Sequence, residues 1–199
     1  DNVTLVDTEG QGVERITGSG VVVAGVEYPV DCIVYATGFE VGTGFQRVSG
    51  FEMYGRDGQS LSDKWADGIR TLHGMHIHGF PNCFLMSTIQ GGFTVNYPHM
   101  LDEVATHVAH IVGHALAIKK EVVETSAEGE AGWVQTILDK GVRGGIIGDE
   151  TCTPGYYNNE GNPREYFEQM VSYGDGPIPF FNLLAKWRDT GEFAGLTID

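Results

Sequence analysis

A regular spacing of apolar residues between His99 and Lys119 predicts the longest helix of this chain. Pro98 suits the first turn of such a helix, where the missing backbone N–H is not needed. The residues that recur at three- and four-residue steps would form one stripe on it: Leu101, Val104, Val108, Ile111, Val112 and Ala115. We therefore expect a helix that buries one face in a core.

The region before this helix is expected to be β-structure. Runs of β-branched residues bounded by glycines predict a small meander, with a tight turn at Gly18–Gly20. The three predicted strands of this meander are Asn2–Asp7, Gly12–Thr17 and Gly20–Val26. Two further runs, Asp31–Ala36 and Asn82–Ser87, are apolar on both faces and predict strands buried from both sides. Together with the long helix, these strands indicate an α/β fold.

The C-terminal part of the sequence favours helices. A capping box at Thr125–Glu128 predicts a helix that runs to about Asp139 and buries Trp133, Val134 and Ile137. Two more helices are predicted at Pro163–Ser172 and Phe180–Thr190, and a short one at Leu61–Gly68 with Ser62 as its cap.

The net charge and the lengths of the apolar runs indicate which kinds of partner this chain can bind. The chain has 12 Lys and Arg against 27 Asp and Glu, for a net charge of -15, which repels nucleic-acid phosphates and anionic lipid surfaces. Its apolar runs are far shorter than the ~20 residues of a membrane span. We therefore expect no nucleic-acid partner, no membrane partner and a cytoplasmic location. The chain opens at Asp1 directly in a strand pattern, so we expect it to be cut from a longer protein.

No metal site is expected. The three cysteines have no CxxC spacing, which supports neither a disulfide framework nor a thiolate zinc site. His107, His110 and His114 have a spacing that a metal could use, but they flank or oppose the apolar stripe. We interpret them as a solvated face, and we interpret the histidines that alternate further upstream, His73, His76 and His78, in the same way. The sequence also has no Gly-x-Ser-x-Gly elbow and no Gly-x-Gly-x-x-Gly fingerprint.

Several motifs in one order resemble those of class B flavoprotein monooxygenases. Asp31–Phe39, with its Ala-Thr-Gly corner, is similar to a strand end of that class. Ser60–Trp65 with Gly68, then Gly79–Phe84, then a glycine turn that leads to Asn96 and a helix, resemble the Baeyer-Villiger branch. The late segment Thr153–Gly161 is similar to the ketone- and steroid-oxidising members of that branch. The resemblance covers most of the chain.

The resemblance implies the C-terminal part of an enzyme that binds FAD and NADPH in Rossmann-like domains and inserts one oxygen atom of O2 beside a ketone carbonyl, giving an ester or lactone. Residues 1–120 would be the C-terminal part of the FAD/NAD(P)-binding domain. Residues 121–199 would be a helical segment covering the active site. The partners implied are a small-molecule ketone and the missing N-terminal nucleotide-binding domains.

The resemblance also implies a set of site residues. Those expected to contact the cofactor are Thr37, Gly38, Phe39, Gln90, Gly91, Gly92 and Asn96. Those expected on the substrate side are Cys152, Tyr156, Tyr157 and Asn158. The catalytic arginine and aspartate of the family belong upstream of this chain, so no catalytic residue is assigned here. We expect the isolated chain to be inactive and not to bind FAD tightly.

Two alternatives remain open at this point. The first is a flavin-containing monooxygenase that oxidises sulfur or nitrogen, although the Trp65 region and the Thr153–Tyr157 segment favour ketone oxidation. The second is a non-catalytic binding module that associates with itself through an exposed apolar surface. For Gly91 and Gly92, a turn that needs positive φ is a sufficient explanation without a cofactor.

Overall fold

The computed structural model describes residues 2–36, 45–140 and 169–199 of the chain. Within these ranges, a small three-stranded sheet is followed by a helical body, which a second, two-stranded sheet closes. This arrangement confirms the predicted α/β class. None of the helices in the described ranges combines the length and the apolar character that crossing a bilayer requires.

The three-stranded sheet is an antiparallel meander, as predicted, with shorter strands. Its strands are β1 (Arg15–Ile16), β2 (Gly20–Val23) and β3 (Val26–Pro29), in the order β1-β2-β3. The Thr17 amide donates to the Gly20 carbonyl at 2.8 Å, which closes the predicted first turn. The predicted strand Gly20–Val26 is instead a hairpin, because Ala24 and Gly25 have φ of 47° and 76° and suit a type I′ turn.

The predicted strands Asn2–Asp7 and Asp31–Ala36 are wrong for this chain, since neither segment forms a strand. Val34 is 83% exposed, so the burial expected of Asp31–Ala36 is also absent, and Val3 in the first segment is 87% exposed. A strand buried from both sides needs neighbouring strands to bond its backbone and elements to cover its faces. The described part of the chain supplies neither to these two segments.

The predicted strand Asn82–Ser87 is also not a strand, but it is anchored to the body. The Leu85 amide donates to the Met75 carbonyl at 2.7 Å. The side chain of Asn82 donates to the Glu121 carbonyl and accepts from the Val123 amide, both at 2.9 Å. The segment therefore hydrogen-bonds to neighbouring loops and to the short strand that contains Val123. These bonds hold it in place although it is not paired as a strand in a β-sheet.

Three short helical elements precede the body: α1 (Phe45–Ser49), a 3-10 turn (Arg56–Gly58) and α2 (Leu61–Lys64). The cap of α2 is Ser60 and not the predicted Ser62. Ser60 has extended backbone geometry, and its hydroxyl accepts from the Asp63 amide at 3.0 Å.

The long helix α3 (Tyr97–Ala117) confirms the predicted one, with Pro98 in its first turn. α4 (Ala127–Lys140) begins after Ser126, whose hydroxyl accepts from the Gly129 amide at 3.0 Å. The three residues predicted to be buried on α4, Trp133, Val134 and Ile137, are buried. α5 (Pro177–Thr190) ends where predicted, whereas most of the predicted helix Pro163–Ser172 lies outside the described residues.

The main core lies where α3, α4 and α5 meet the loop Thr71–Ile77. Its buried residues are Leu72, Met75, Met100, Val104, Trp133, Ile137, Tyr173, Phe180, Phe181 and Leu184. The strands β4 (Val123–Thr125) and β5 (Leu196–Ile198) pair antiparallel and join the end of the chain to this body. Residues from both sides of the predicted domain boundary at residue 120 contribute to this core, and the boundary itself stays a prediction.

Candidate functional site

The structure places four of the predicted site residues around one turn before α3. Gln90, Gly91 and Gly92 form the turn, and Asn96 begins the helix. The other predicted site residues lie outside the described residues: Thr37, Gly38, Phe39, Cys152, Tyr156, Tyr157 and Asn158. The predicted roles of these seven residues therefore stay predictions.

Gln90 is fully buried, and its carboxamide is fully hydrogen-bonded within the chain. The side-chain oxygen accepts from the Thr71 hydroxyl at 2.6 Å and from the Thr71 amide at 3.1 Å. The side-chain nitrogen donates to the Ile69 carbonyl at 2.7 Å and to the Gln169 carbonyl at 2.9 Å. Gln90 has φ of 57°, a backbone geometry that costs free energy for a residue with a side chain. These four bonds hold the turn in that geometry.

The backbone of the turn is bonded to the C-terminal elements. The Gln90 amide donates to the Val171 carbonyl at 2.9 Å, and the Tyr173 amide donates to the Gly91 carbonyl at 2.8 Å. The Trp133 indole on α4 donates to the Gln90 carbonyl at 2.9 Å. The amide and side chain of Gln90 are thus engaged inside the chain, so this residue shapes the turn.

The two glycines of the turn have a structural explanation in this body. A Cβ atom on Gly92 would lie 2.7 Å from the Phe180 ring and 3.1 Å from the Phe181 ring, closer than carbon atoms can approach. Gly91 is buried and its φ is not in the left-handed region, so the positive φ expected for the pair is not observed. Close contact with α5, and not turn geometry, requires a glycine at position 92.

Asn96 caps α3. Its side-chain oxygen accepts from the His99 amide at 3.3 Å, which satisfies one of the free N–H groups of the first helical turn. No acidic residue lies in that turn, and the helix is 21 residues long. Its N-terminus therefore presents an unopposed positive dipole, which favours an electron-rich or anionic group. Since Pro98 has no N–H and the His99 and Met100 amides donate to Asn96, Tyr97 carries the free backbone donor of this turn within the described residues.

An exposed apolar surface lies beside this helix end. Val95 is 97% exposed, Phe93 is 52% exposed and Tyr97 is 45% exposed, whereas Gly92 and Met100 on either side are buried. We call the surface of Phe93, Val95 and Tyr97 the turn face. Exposed apolar side chains clustered beside hydrogen-bond donors suit a flat, partly polar ring system. The signal in the sequence was an apolar segment between Gly92 and Pro98 that does not fit the helix stripe.

Three histidines are placed differently from the prediction. His73, His76 and His107 are buried, with exposures of 5%, 3% and 0%, and they do not form a solvated face. The prediction was wrong because Trp187 of α5 packs on His107 of α3, and Trp133 of α4 packs on His73 in the preceding loop. His110 and His114 lie at or near the surface, where both stack on Phe193. In the described ranges, no group of three or more acidic, cysteine or histidine side chains is arranged to hold a metal ion.

Comparison with known proteins gives relatives along the whole chain. It is 49% identical over 199 residues to neopentalenolactone D synthase of Streptomyces avermitilis, covering 99% of this chain and 33% of that protein. It is 41% identical to a Baeyer-Villiger monooxygenase of Stachybotrys chlorohalonatus, covering 100% of this chain and 32% of that protein. No protein-family model matches the chain.

Solved structures also match this chain along its whole length and extend well beyond it. The polycyclic ketone monooxygenase of Thermothelomyces thermophila superimposes with a TM-score of 0.85 at 31% identity, over 100% of this chain and 32% of that one. A steroid monooxygenase bound to NADP superimposes with a TM-score of 0.81 at 25% identity, over 100% of this chain and 35% of that one. The chain therefore spans about a third of the length of the relatives it matches. The resemblance inferred from the motifs is confirmed.

Proposed function

We propose that this chain, which matches Baeyer-Villiger monooxygenases over its whole length, forms the C-terminal part of an FAD- and NADPH-dependent enzyme of that kind. The enzyme would insert one oxygen atom of O2 next to a ketone carbonyl and give an ester or a lactone. The observation that carries the proposal is the 49% identity along the chain to a relative three times its length. Further support comes from relatives and neighbours described as FAD-binding or bound to NADP.

The residues around the turn fit a flavin edge. The Tyr97 N–H at the start of α3 and the side-chain amide of Asn96 would donate to the polar side of the ring, and the turn face would contact its apolar side. Gly91 and Gly92 would line the same place. The bound flavin, reduced by NADPH, supplies the oxygen chemistry, and this chain orients it and excludes water. Gln90 acts by holding the turn, since its own polar groups are bonded to Thr71, Ile69 and Gln169.

The partner of the exposed surfaces would be the nucleotide-binding part of the same enzyme. The turn face and the exposed residues Val34 and Tyr35 would be covered there, which explains why apolar side chains face solvent in this chain. Self-association of the isolated chain through the same surface stays a prediction, as does the cytoplasmic location. Size-exclusion chromatography of the isolated chain tests the first of these two.

A chimera tests the proposed function. The matching third of neopentalenolactone D synthase would be replaced by this chain, and the same relative without that third would be the control. We expect NADPH consumption matched by conversion of a cyclic, polycyclic or steroid ketone to its ester or lactone, and no conversion by the control. A sulfide offered in competition separates ketone oxidation from the sulfur- or nitrogen-oxidising alternative.

The chimera tests the proposed flavin contacts and the proposed ketone substrate separately. A folded chimera that does not retain FAD would contradict the role of the turn and of Asn96 in holding the flavin. A folded chimera that retains FAD but oxidises only the sulfide would contradict the ketone substrate.

A further inference from the structure

His73, His76 and His107 form one cluster inside the body. The ring centroids of His73 and His107 lie 5.7 Å apart, and those of His76 and His107 lie 6.1 Å apart. His73 and His76 come from the loop before the turn, and His107 comes from the middle of α3. Each side chain is at least 95% buried, so three ionisable rings share a space that water does not reach.

The walls around these rings are aromatic and apolar. His73 meets Trp133 of α4 at 4.8 Å, and His107 meets Trp187 of α5 at 4.9 Å between ring centroids. Nδ1 of His73, Nε2 of His76 and Nε2 of His107 have no hydrogen-bond partner in the part of the chain that the structure describes. A carboxylate or carbonyl at these atoms would stabilise an imidazolium, and the described residues provide none.

In the described part of the chain, the charged side chain that lies against the cluster is the cation Arg188. Nη1 of Arg188, on α5, lies 3.5 Å from Nδ1 of His107, and His110 lies one turn along α3. Burial first, and then the neighbouring histidines and Arg188, lower the pKa of His107 to about 2. Burial lowers the pKa of His73 to about 3 and that of His76 to about 4, from an ordinary value of 6.5. The folded body therefore requires three neutral rings.

The cluster also supports the turn before α3. A Cβ atom on Gly74, next to His73, would lie 2.7 Å from the Ile89 carbonyl, so the histidine loop touches the turn backbone. Thr71 in the same loop donates twice to the Gln90 carboxamide. Trp133, which contacts His73, donates to the Gln90 carbonyl. A disturbance at the rings would therefore reach Gln90 through two independent contacts.

We propose that His73, His76 and His107 form an acid-sensitive switch, in which proton uptake by the three rings opens the packing of α3, α4 and α5 and frees the Gln90–Gly92 turn. The stability contributed by neutral rings is complete above pH 6.5 and is lost as pH falls from 6.5 through the folded pKa values of about 4, 3 and 2. Below pH 6.5, each ring raises the equilibrium constant for opening by up to about tenfold per pH unit, so three rings together give about a thousandfold. The consequence for a flavin-binding turn rests on the proposed function, whereas the switch itself does not.

Proton uptake on unfolding tests this proposal on the purified chain without cofactor. At pH 5.5, above the range in which carboxylates take up most of their protons, calorimetric unfolding in buffers of different ionisation enthalpy should show uptake of about three protons. His107→Leu and His76→Phe should each lower the uptake by about one. His110→Gln is the matched control on the exposed side of α3 and should leave the uptake unchanged.

Tryptophan emission gives a second readout if a variant does not fold. In a Trp65→Phe background the remaining tryptophans, Trp133 and Trp187, both contact the cluster. Their emission should change between pH 6.5 and 4.5 together with the proton uptake. Uptake of less than one proton by the unsubstituted chain at pH 5.5, or unchanged uptake in both cluster variants, would overturn the switch. Neither the proton uptake nor the tryptophan emission is measured with a cofactor. Both results are therefore independent of whether the chain contributes to a flavin site.

Discussion

Outside β2, where Val22 and Val23 are buried, the first 36 residues expose large apolar side chains, whereas the helical body buries a set of them in a core. In the body, Phe180, Ile137 and Leu184 are fully buried where α3, α4 and α5 meet. In the N-terminal region, Leu5 is 93% exposed and Tyr35 is 71% exposed, although the sequence there is as apolar as a core strand. The body thus carries its own hydrophobic core, while the N-terminal region carries side chains whose cover is not in the described chain.

This difference indicates which part of the chain folds by itself. Burial of apolar surface is the main favourable term in folding, and the body has it, whereas segments such as Asp31–Ala36 do not. A chain that provides about a third of a larger fold would show this pattern if its N-terminal strands completed a sheet elsewhere. The predictions below compare matched changes in the two regions.

The largest difference is expected for truncation of an apolar side chain. Phe180→Ala removes a fully buried ring from the core and should lower the free energy of unfolding by about 3–5 kcal/mol. Val34→Ala removes a side chain that is 83% exposed and should change it by less than about 0.5 kcal/mol. Urea unfolding followed by circular dichroism measures both values. Equal effects at the two positions would show that the N-terminal region is packed in solution.

The next largest difference between the two regions is expected when the negative charge of an ion-paired carboxylate is removed. Glu130 is 3% exposed, and its carboxylate accepts from Lys64 and from the His78 amide, both at 2.9 Å. Glu130→Gln leaves the partly buried Lys64 ammonium without this counter-charge and should cost about 3 kcal/mol. Glu27→Gln in β3 is the control, because the Glu27 carboxylate accepts from Thr17 and Ser19 at the surface. A loss at Glu27 as large as that at Glu130 in the same urea assay would contradict the contrast.

Replacing a glycine by alanine should change the free energy of unfolding by a smaller amount. Gly92→Ala forces a methyl group against Phe180 and should destabilise the body by about 1–3 kcal/mol. Gly18→Ala, in the first turn of the N-terminal meander, meets no atom within 4 Å and should be near neutral. Thermal unfolding compares the two variants. If Gly92→Ala is neutral, then α5 does not lie against the turn as described.

The smallest change in the free energy of unfolding is expected at Asn96, which caps α3 and is proposed to donate to the flavin. Asn96→Ala removes the cap of α3 and should cost about 1 kcal/mol, whereas Asn96→Asp keeps a capping oxygen and should cost little. In the chimera, Asn96→Asp replaces the amide donor by a negative charge and should weaken retention of FAD. Unchanged flavin content in Asn96→Asp would limit Asn96 to its capping role.

The helices were predictable from the sequence because their signals are local. The apolar period of α3 lies within that helix, and the capping box Thr125–Glu128 lies at the start of α4, although its capping oxygen is that of Ser126. α5 begins at Pro177, three residues before the predicted start at Phe180. The predicted strands at Asn2–Asp7 and Asp31–Ala36 failed because strand formation depends on a partner, which an apolar run cannot supply.

The site was only partly predictable for a similar reason. The turn at Gln90–Gly92 was found through the resemblance, but the bonds that hold it come from Thr71, Trp133 and Tyr173, which are distant in sequence. His107 was assigned to a solvated face because the predicted stripe left out Met100. Met100, Val104, His107 and Ile111 recur at three- and four-residue steps and are all buried, so the sequence did carry a signal for the burial of His107. Its contact with Trp187 of α5 leaves no such short-range pattern.

The most direct test of this account is hydrogen exchange at the amides of Asp31–Ala36, measured in the isolated chain and in the chimera. We expect exchange close to that of an unstructured peptide in the isolated chain and at least hundredfold slower exchange in the chimera, where neighbouring strands can pair with this segment. Strong protection already in the isolated chain, or no protection in a folded chimera, would contradict the conclusion that this chain supplies one part of a larger flavoprotein fold.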